Sequence, residues 1–379
     1  MSHQSLFITT SAAFDAMRAQ FEQHTRLAVD TESDSLYSYF EKVCLLQFSI
    51  PHADYVVDPL ALSQVAELAP LFAAPQIEKI FHAAEYDILC MKRDYQFQFV
   101  NIFDTMIAAR ILGWKNVGLG NILQERFGVA LNKKMQRADW GHRPLSAEHL
   151  EYAREDTHYL LALADAQIHE LEKLDRLQEA REEFDRLTRV EPTPRRFDPD
   201  GYWNINGARD LDAVGLGILR ELYHWRDGEA RKHDRPPFKV ISDATLCHIA
   251  AAHPNSTRAL AHLSGVSSFV SDRYGRAILH AVERGRATPQ TAQPHPRARG
   301  NPPLDNHART RLEHLKEWRK QIAAKRGVEP DVIVSNDALY AIARKNPRAL
   351  DVLIQVSGLG VWKANAYGEA MLAVLRGKK

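Results

Sequence analysis

The sequence predicts an α/β domain, a mixed sheet with helices on its faces, followed by two small all-α helical-bundle domains. Three observations predict it. Short apolar runs bounded by polar or turn residues alternate with helical patterns through the first half. A long helical stretch ends at a segment containing Pro192 and Pro194. A helical pattern in the second half then recurs at a fixed offset of 93 residues.

Residues 27–29, 43–50, 55–57, 79–81 and 99–102 read as strands. Short polar links join the first three, as in an antiparallel meander. Helical stretches at 61–73, 84–94 and 104–112 then intervene, as βα units require. Residues 147–188 read as a long helical run. Leu150, Leu160, Leu161, Leu163, Ile168, Leu171 and Leu174 supply its apolar stripe. Residues 191–207 read as a linker. In the second half Trp225 matches Trp318, Ser242-Asp243 matches Ser335-Asn336, and Leu246 matches Leu339. Ala250, Pro254, Leu260, Ser264-Gly265 and Leu279 match Ala343, Pro347, Leu353, Ser357-Gly358 and Leu372. Between the copies, Pro289, Pro294, Pro296, Pro302 and Pro303 mark a stiffened linker. The expected domains are 1–190, 208–287 and 307–379, joined by linkers 191–207 and 288–306.

A chain of 379 residues with 45% hydrophobic content is long enough for one to three packed domains. Cys44, Cys90 and Cys247 form no CxxC pair, so buried thiols in a reducing compartment are expected. The 17 histidines show no HExxH pattern. The N-terminus lacks a signal-peptide plan, and no apolar run approaches a membrane span. A soluble, cytoplasmic protein with no membrane partner is expected. The net charge of +1 hides an asymmetry. Residues 1–190 hold 19 Lys and Arg against 28 Asp and Glu, whereas residues 191–379 hold 30 against 20. An acidic half that binds cations, tied to a basic half that holds nucleic acid, would account for the split. Two unrelated domains that merely differ in charge would account for it too.

Five residues carry the chemistry. Asp30 and Glu32 close an apolar run, and period two puts them on one face of a strand. Tyr152 and Asp156 are four apart in a helix, again on one face. Asp87 opens a helix that follows a strand. Converging carboxylates repel one another unless cations lie between them. Oxygen donors suit Mg²⁺ or Mn²⁺ rather than zinc, and two such ions are a device for cutting phosphodiesters. Taken singly, each pair is weak, because a chain with 26% charged residues contains such pairs by accident.

These motifs together resemble ribonuclease D, of the tyrosine-containing branch of the DEDD exonuclease superfamily, over nearly the whole chain. They are Val29-Asp30-Thr31-Glu32, Phe81-His82-Ala83 with Asp87, Phe103-Asp104-Thr105, and Tyr152 with Asp156. Gly128-Val129, Lys133, Asp139-Trp140 and Arg143-Pro144-Leu145 match the stretch before the third motif. The two repeats resemble the HRDC domain. After Glu32 the chain runs Ser33-Asp34-Ser35-Leu36-Tyr37, where ribonuclease D proteins often carry Phe and a basic residue.

The resemblance implies a ribonuclease H-like sheet, a monomer, and 3′-5′ removal of single nucleotides from RNA, with tRNA precursors expected. It implies two divalent cations held by Asp30, Glu32, Asp87 and Asp156, with Tyr152 orienting the attacking water. His82 either approaches the substrate or is a packed histidine. Asp104 is expected to cap a helix, and Asp139 and Trp140 to fix a loop. Phe48, Phe81, Phe103, Trp225 and Trp318 are expected in cores. Arg231, Lys232, Arg235 and Lys239 in the first repeat, and Arg344, Lys345 and Arg348 in the second, are either solvated faces or RNA-backbone contacts. A single-strand DNA exonuclease of the same branch is the alternative within the enzyme class. A catalytically idle nucleic-acid adaptor is the alternative outside it, and the intact set of five argues against that.

Overall fold

The computed structural model describes residues 4–132, 134–194, 196–290, 302–356 and 358–377. Lys133, Ser357 and the linker prolines Pro294 and Pro296 lie outside the described residues. Six strands form one sheet: β1 (Gln4–Ile8), β2 (Arg26–Ser33), β3 (Val43–Ile50), β4 (Ala53–Val57), β5 (Glu78–Phe81) and β6 (Ile102–Asp104), in the order β1-β4-β3-β2-β5-β6. β2, β3 and β4 form the expected antiparallel meander, while β1 runs parallel to β4, β5 to β2 and β6 to β5. β3 is buried at all eight positions, as in a strand covered on both faces.

The first half has eight helices among the described residues: α1 (Ser11–Phe21), α2 (Ala69–Ala73), α3 (Glu85–Tyr95), α4 (Thr105–Leu112), α5 (Leu119–Phe127), α6 (Ala147–His158), α7 (Leu160–Lys173) and α8 (Leu177–Thr188). Three expectations need correction. β1 and α1 precede the first expected strand. β1 lies at the edge with four of five residues exposed, so it lacks alternation. The last strand falls at Ile102–Asp104 rather than 99–102. Phe99 is instead a buried loop residue whose ring lies 5.0 Å from that of Phe72 and 6.4 Å from that of Phe81. The run 147–188 is three helices, broken at Tyr159 and again at Asp175, whose φ is +54°. Phe48, Phe81 and Phe103 are core residues as expected, and Asp104 caps α4 by accepting from the amides of Met106 and Ile107.

The two repeats correspond element by element along the chain. α9 (Ala213–Lys232), α10 (Pro237–Val240), α11 (Asp243–Ala252), α12 (Thr257–Ala261) and α13 (Ser268–Ala287) form the first. α14 (Asn306–Arg326), α15 (Pro330–Ile333), α16 (Asn336–Lys345), α17 (Leu350–Ile354) and α18 (Val361–Leu375) form the second. Each helix of the second starts 93 residues after its counterpart. Trp225 packs on Tyr274, and Trp318 on Tyr367, at 5.6 and 6.0 Å between ring centroids. Each repeat also buries an arginine at equivalent places. Arg226 donates to the Ile241 carbonyl and Asp243, and Arg319 to the Val334 carbonyl and Asn336.

The chain forms two compact units. One contains the sheet, α1–α8 and the second repeat. The other contains the first repeat with residues 34–42. The acidic and basic halves of the sequence are therefore not the two units. In the second unit, Tyr202 and Ile205, from the segment read as a linker, lie in the core of the first repeat together with Tyr39. In the first unit, Arg326 grips Glu179 with both Nη atoms, at 3.0 and 2.6 Å. Lys363 meets Glu183 at 2.6 Å and Asp331 meets Arg110 at 2.5 Å. Cys44 and Cys90 are buried as expected, whereas Cys247 is half-buried, and none of the three forms a disulfide. Among the described residues no helix is long and apolar enough to cross a membrane.

The Glu179 carboxylate is fully covered while the Arg326 side chain is 16% exposed. Glu179→Ala should therefore destabilise the unit containing the sheet by about 3 kcal/mol, the lower end for an orphaned buried pair. Denaturant unfolding followed by near-UV circular dichroism measures it, and a change within error would show that the pair contributes nothing.

Candidate active site

β2 is an interior strand, antiparallel to β3 on one side and parallel to β5 on the other. Asp30 and Glu32 lie two apart on it, opposite Gln47 and Leu45 of β3, and the ladder shifts register directly after Glu32. A bulge at that point ends regular pairing just beyond the second carboxylate. Thr31 lies between them, also on the cleft wall, and its hydroxyl donates to Asp87 Oδ1 at 2.5 Å.

Asp87 sits in the first turn of α3, where the helix N-terminus favours a carboxylate. The turn before it, His82-Ala83-Ala84, is tied down from the neighbouring strand end. Asp104 Oδ2 accepts from the Ala84 amide at 2.7 Å while its Oδ1 accepts from Met106 and Ile107. Ala83 takes φ +64°, in the left-handed region that alanine seldom adopts. Thr105 Oγ1 bonds the Phe81 carbonyl and His82 Nδ1. One Asp-Thr dipeptide thus holds both the turn that leads to Asp87 and the His82 ring.

Tyr152 and Asp156 lie on one face of α6. Its opposite face is fastened to the sheet. Asp54 of β4 accepts from Arg154 at 3.1 Å and bonds His158 Nδ1 at 2.7 Å. It also accepts from Ser49 of β3 at 2.6 Å, and Ser49 Oγ bonds Thr157 Oγ1 at 2.8 Å. This network sets the rotation of α6 and hence where Tyr152 and Asp156 point. The loop before α6 is latched by Arg143, which forks onto Asp58 at 2.7 and 2.8 Å and donates to the Cys44 and Trp140 carbonyls. Trp140 is buried with its ring 5.8 Å from that of Tyr152, which matches the loop role expected for it.

Asp30, Glu32, Tyr152 and Asp156 line one cleft of about 480 Å³, with His82, Glu155, Asn121, Asn132 and Gln136 among its other walls. Asp87 is buried, and its carboxyl accepts from Thr31, which is itself on the cleft wall. Among the described residues no three His, Cys, Asp or Glu side chains are already gathered as a metal cage. The basic residues Arg231, Lys232, Arg235, Lys239, Arg344, Lys345 and Arg348 do not line the cleft either. They are exposed, the first four on α9, its end and α10, the other three at the end of α16 and just beyond it.

The four carboxylates hold protons abnormally tightly. Each of Asp30, Glu32 and Asp156 keeps some surface in the cleft, yet protein atoms surround most of it. Burial, followed by the charges of Asp87, Asp156 and Glu32, pushes Asp30 well above the usual carboxylate range. Burial, Asp156 and Asp87 do the same to Glu32. Burial raises Asp87 to about 7, against the hydrogen bond from Thr31. Burial, Glu155 and Asp87 raise Asp156 to about 7. Burial and the charges of Asp156, Glu32 and Asp30 also lift the Tyr152 hydroxyl above its ordinary value, so it stays protonated. Burial lowers His82 to about 4, against a backbone hydrogen bond with Val117, so the imidazole is neutral at pH 7.

The donor set fits hard cations. It is all oxygen and acidic, and a cation offsets both the burial and the mutual repulsion that raise its proton affinity. A further polar group awaits a partner there. Gln47, opposite Asp30 on β3, is fully buried with neither amide atom hydrogen-bonded to protein. Sequence reading passed over Gln47, Ser49 and Asp54. Gln47 and Ser49 do leave a signal, being polar interruptions in an otherwise apolar strand.

Residues 6–172 match the family model described as 3′-5′ exonuclease, and residues 215–282 and 308–375 each match the HRDC domain. The fold and cleft are thus those of a 3′-5′ exonuclease carrying two HRDC domains. The chain is 30% identical to ribonuclease D of Nitrobacter hamburgensis over 98% of its own length and 95% of that protein. It is 34% identical to Protein RRP6-like 3 of Arabidopsis thaliana over 68% of its length, but spans only 32% of that longer protein. The catalytic core of RRP6 from Trypanosoma brucei shares its fold with a TM-score of 0.69 and 31% identity, over 75% of this chain and 80% of that one. This chain belongs to the ribonuclease D family of 3′-5′ exoribonucleases.

The raised proton affinities set a pH dependence. Between about pH 4 and 7 the folded chain keeps protons on Asp87 and Asp156 that the unfolded chain has released. Folding stability without divalent ions therefore falls as pH rises through that window. In chelator, Tm should drop between pH 4.5 and 7.5. At pH 7.5, Asp156→Asn should raise Tm by about 3 °C, roughly 1 kcal/mol for a domain of this size. A flat profile that Asp156→Asn leaves unchanged would contradict the mutual repulsion.

Proposed function

We propose that the chain trims the 3′ ends of RNA one nucleotide at a time, with tRNA precursors among its substrates, using two divalent cations, Mg²⁺ or Mn²⁺. The observation that carries this reading is the meeting of Asp30, Glu32, Tyr152 and Asp156 in one cleft whose carboxylates repel one another. Asp30, Glu32 and Asp156 would hold the ions, with Asp87 serving one of them through water or after releasing Thr31. Such ions supply a water nucleophile at neutral pH and charge compensation at the leaving 3′ oxygen.

The remaining work falls to uncharged groups. Tyr152 keeps its proton, so it orients the attacking water by hydrogen bonding rather than acting as a base. The neutral His82, held by Thr105, offers the terminal nucleotide a fixed ring rather than a titrating one. Asn121, Asn132 and Gln136 add uncharged hydrogen-bonding groups for base or sugar. On this reading the protein acts as a cytoplasmic monomer.

Three variants test the roles. Asp30→Asn or Asp156→Asn should cut turnover more than about 100-fold, since a metal ligand is lost, with RNA affinity nearly intact. Tyr152→Phe should bind metal normally and lose about 100-fold in kcat, the low end for a group that handles the attacking water. Turnover near wild type in either carboxylate variant sinks the assignment. Labelled RNA and DNA of matched sequence, incubated with Mn²⁺, decide the substrate class: RNA should be digested faster. Faster release from DNA would make the chain a DNA exonuclease, and no mononucleotide release would make it a binding protein.

A further inference from the structure

We propose that the loop joining β2 to β3, together with the end of α9 and α10, forms a stacking platform for single-stranded RNA. The proposal deepens the nuclease reading and rests on RNA being the substrate. The loop, residues 34–42, begins two residues beyond Glu32 in the chain and belongs to the unit of the first repeat.

The loop is a closed, rigid object. The fully buried Asp34 accepts from the Lys42 amide at 2.8 Å, from Lys42 Nζ at 2.7 Å and from Ser38 Oγ at 2.7 Å. Burial alone would raise its carboxyl, but these partners outweigh burial and hold it below the usual range. Tyr39 anchors the loop in the first repeat's core and donates to Asp227 at 2.9 Å. The Phe40 amide donates to Asp234 at 2.8 Å. Both acids of the α9 end that face the loop are thereby engaged.

The loop and these helix ends together leave aromatic and cationic groups outward, beside the exposed Leu36 and the half-buried Glu41 of the loop. Phe40 is 54% exposed and Phe238 of α10 is 55% exposed. A lone exposed phenylalanine means little. Here the Arg231 guanidinium lies over the Phe40 ring at 5.8 Å, and Lys239, next to Phe238 in the chain, lies over Tyr37 at 3.3 Å. Lys232 and Arg235 are exposed beside them. None of these four cations makes an ion pair among the described residues. Exposed rings interleaved with uncompensated positive charge fit a chain that carries both π-faces and phosphates. Only an unpaired strand offers both, because a duplex hides the faces of its bases.

The test uses the full-length Asp156→Asn protein, so that bound RNA is not cut, and a fluorescent oligoadenylate read by anisotropy. Phe40→Ala combined with Phe238→Ala should weaken binding at least about tenfold, since each ring removes one base-stacking contact. The slope of log affinity against log salt should not move. Phe40→Trp should restore affinity, which a merely structural ring would not do. Arg231→Gln combined with Lys239→Gln should instead reduce that slope by about 1.4, two single-strand phosphate contacts. Undiminished affinity in the double-alanine protein overturns the platform. So does an equal loss for duplex RNA, or a protein ligand that depends on the rings while oligoadenylate does not. The nuclease reading fails separately: ring-dependent binding with no mononucleotide released by the unmutated protein would sink it and leave the platform standing.

Discussion

Carboxylates placed together in a poorly hydrated cleft repel one another, and the sheet-containing unit is organised around holding them there despite that. Asp30 and Glu32 are fixed by an interior strand paired on both sides. Asp156 is fixed by a helix and Asp87 by the first turn of another. Burial first, and neighbouring negative charge second, raise their proton affinities. A group of acids free to splay apart would relieve the repulsion by moving. These cannot, so protons or cations must relieve it. The same constraint keeps Tyr152 protonated, because any negative charge on its oxygen would add to the cluster.

The parts that resist the repulsion lie one layer out. Asp54 is bonded to Arg154, His158 and Ser49, which locks α6 against β3 and β4. Asp104 joins the amides at the start of α4 to the turn before α3. Each is a buried acid with several donors, the condition under which a buried charge stabilises rather than disrupts. The site acids have fewer: Thr31 bonds Asp87 through its hydroxyl and its backbone, and bonds Asp30 through its backbone. The contrast between donor-rich scaffold acids and donor-poor cleft acids separates structure from function here. The second repeat serves the same unit through Arg326 and Glu179, so it is more than a tethered appendage.

Much of this is legible in the sequence. Val43–Ile50 reads as a strand because six of its eight residues are apolar, and the structure buries all eight. The 93-residue offset survives in every helix start of the repeats, and in two of the five pairs the capping residue recurs too, Asp212 with Asp305 and Ser242 with Ser335. The site acids are legible because strand period two and helix period four place them without tertiary information. The rest depends on contacts between distant segments. Nothing local shows that Phe99 packs on Phe72 and Phe81 rather than pairing in a strand. Nothing local shows that residues 34–42 leave β2 to join the first repeat, or that the second repeat shares a unit with the sheet. The orphaned amide of Gln47 and the network around Asp54 appear only when β3, β4 and α6 are stacked.

On the proposed reading, cations replace protons on the carboxylates of the cleft. Calorimetric titration with Mn²⁺ at pH 6.5, repeated in two buffers of different ionisation enthalpy, tests it directly. The account predicts two ions per chain and release of about one proton or more on binding, since Asp87 and Asp156 are still largely protonated at that pH. It predicts that Asp30→Asn weakens binding and reduces the proton count. Binding without proton release, or binding of equal strength in Asp30→Asn, would contradict it.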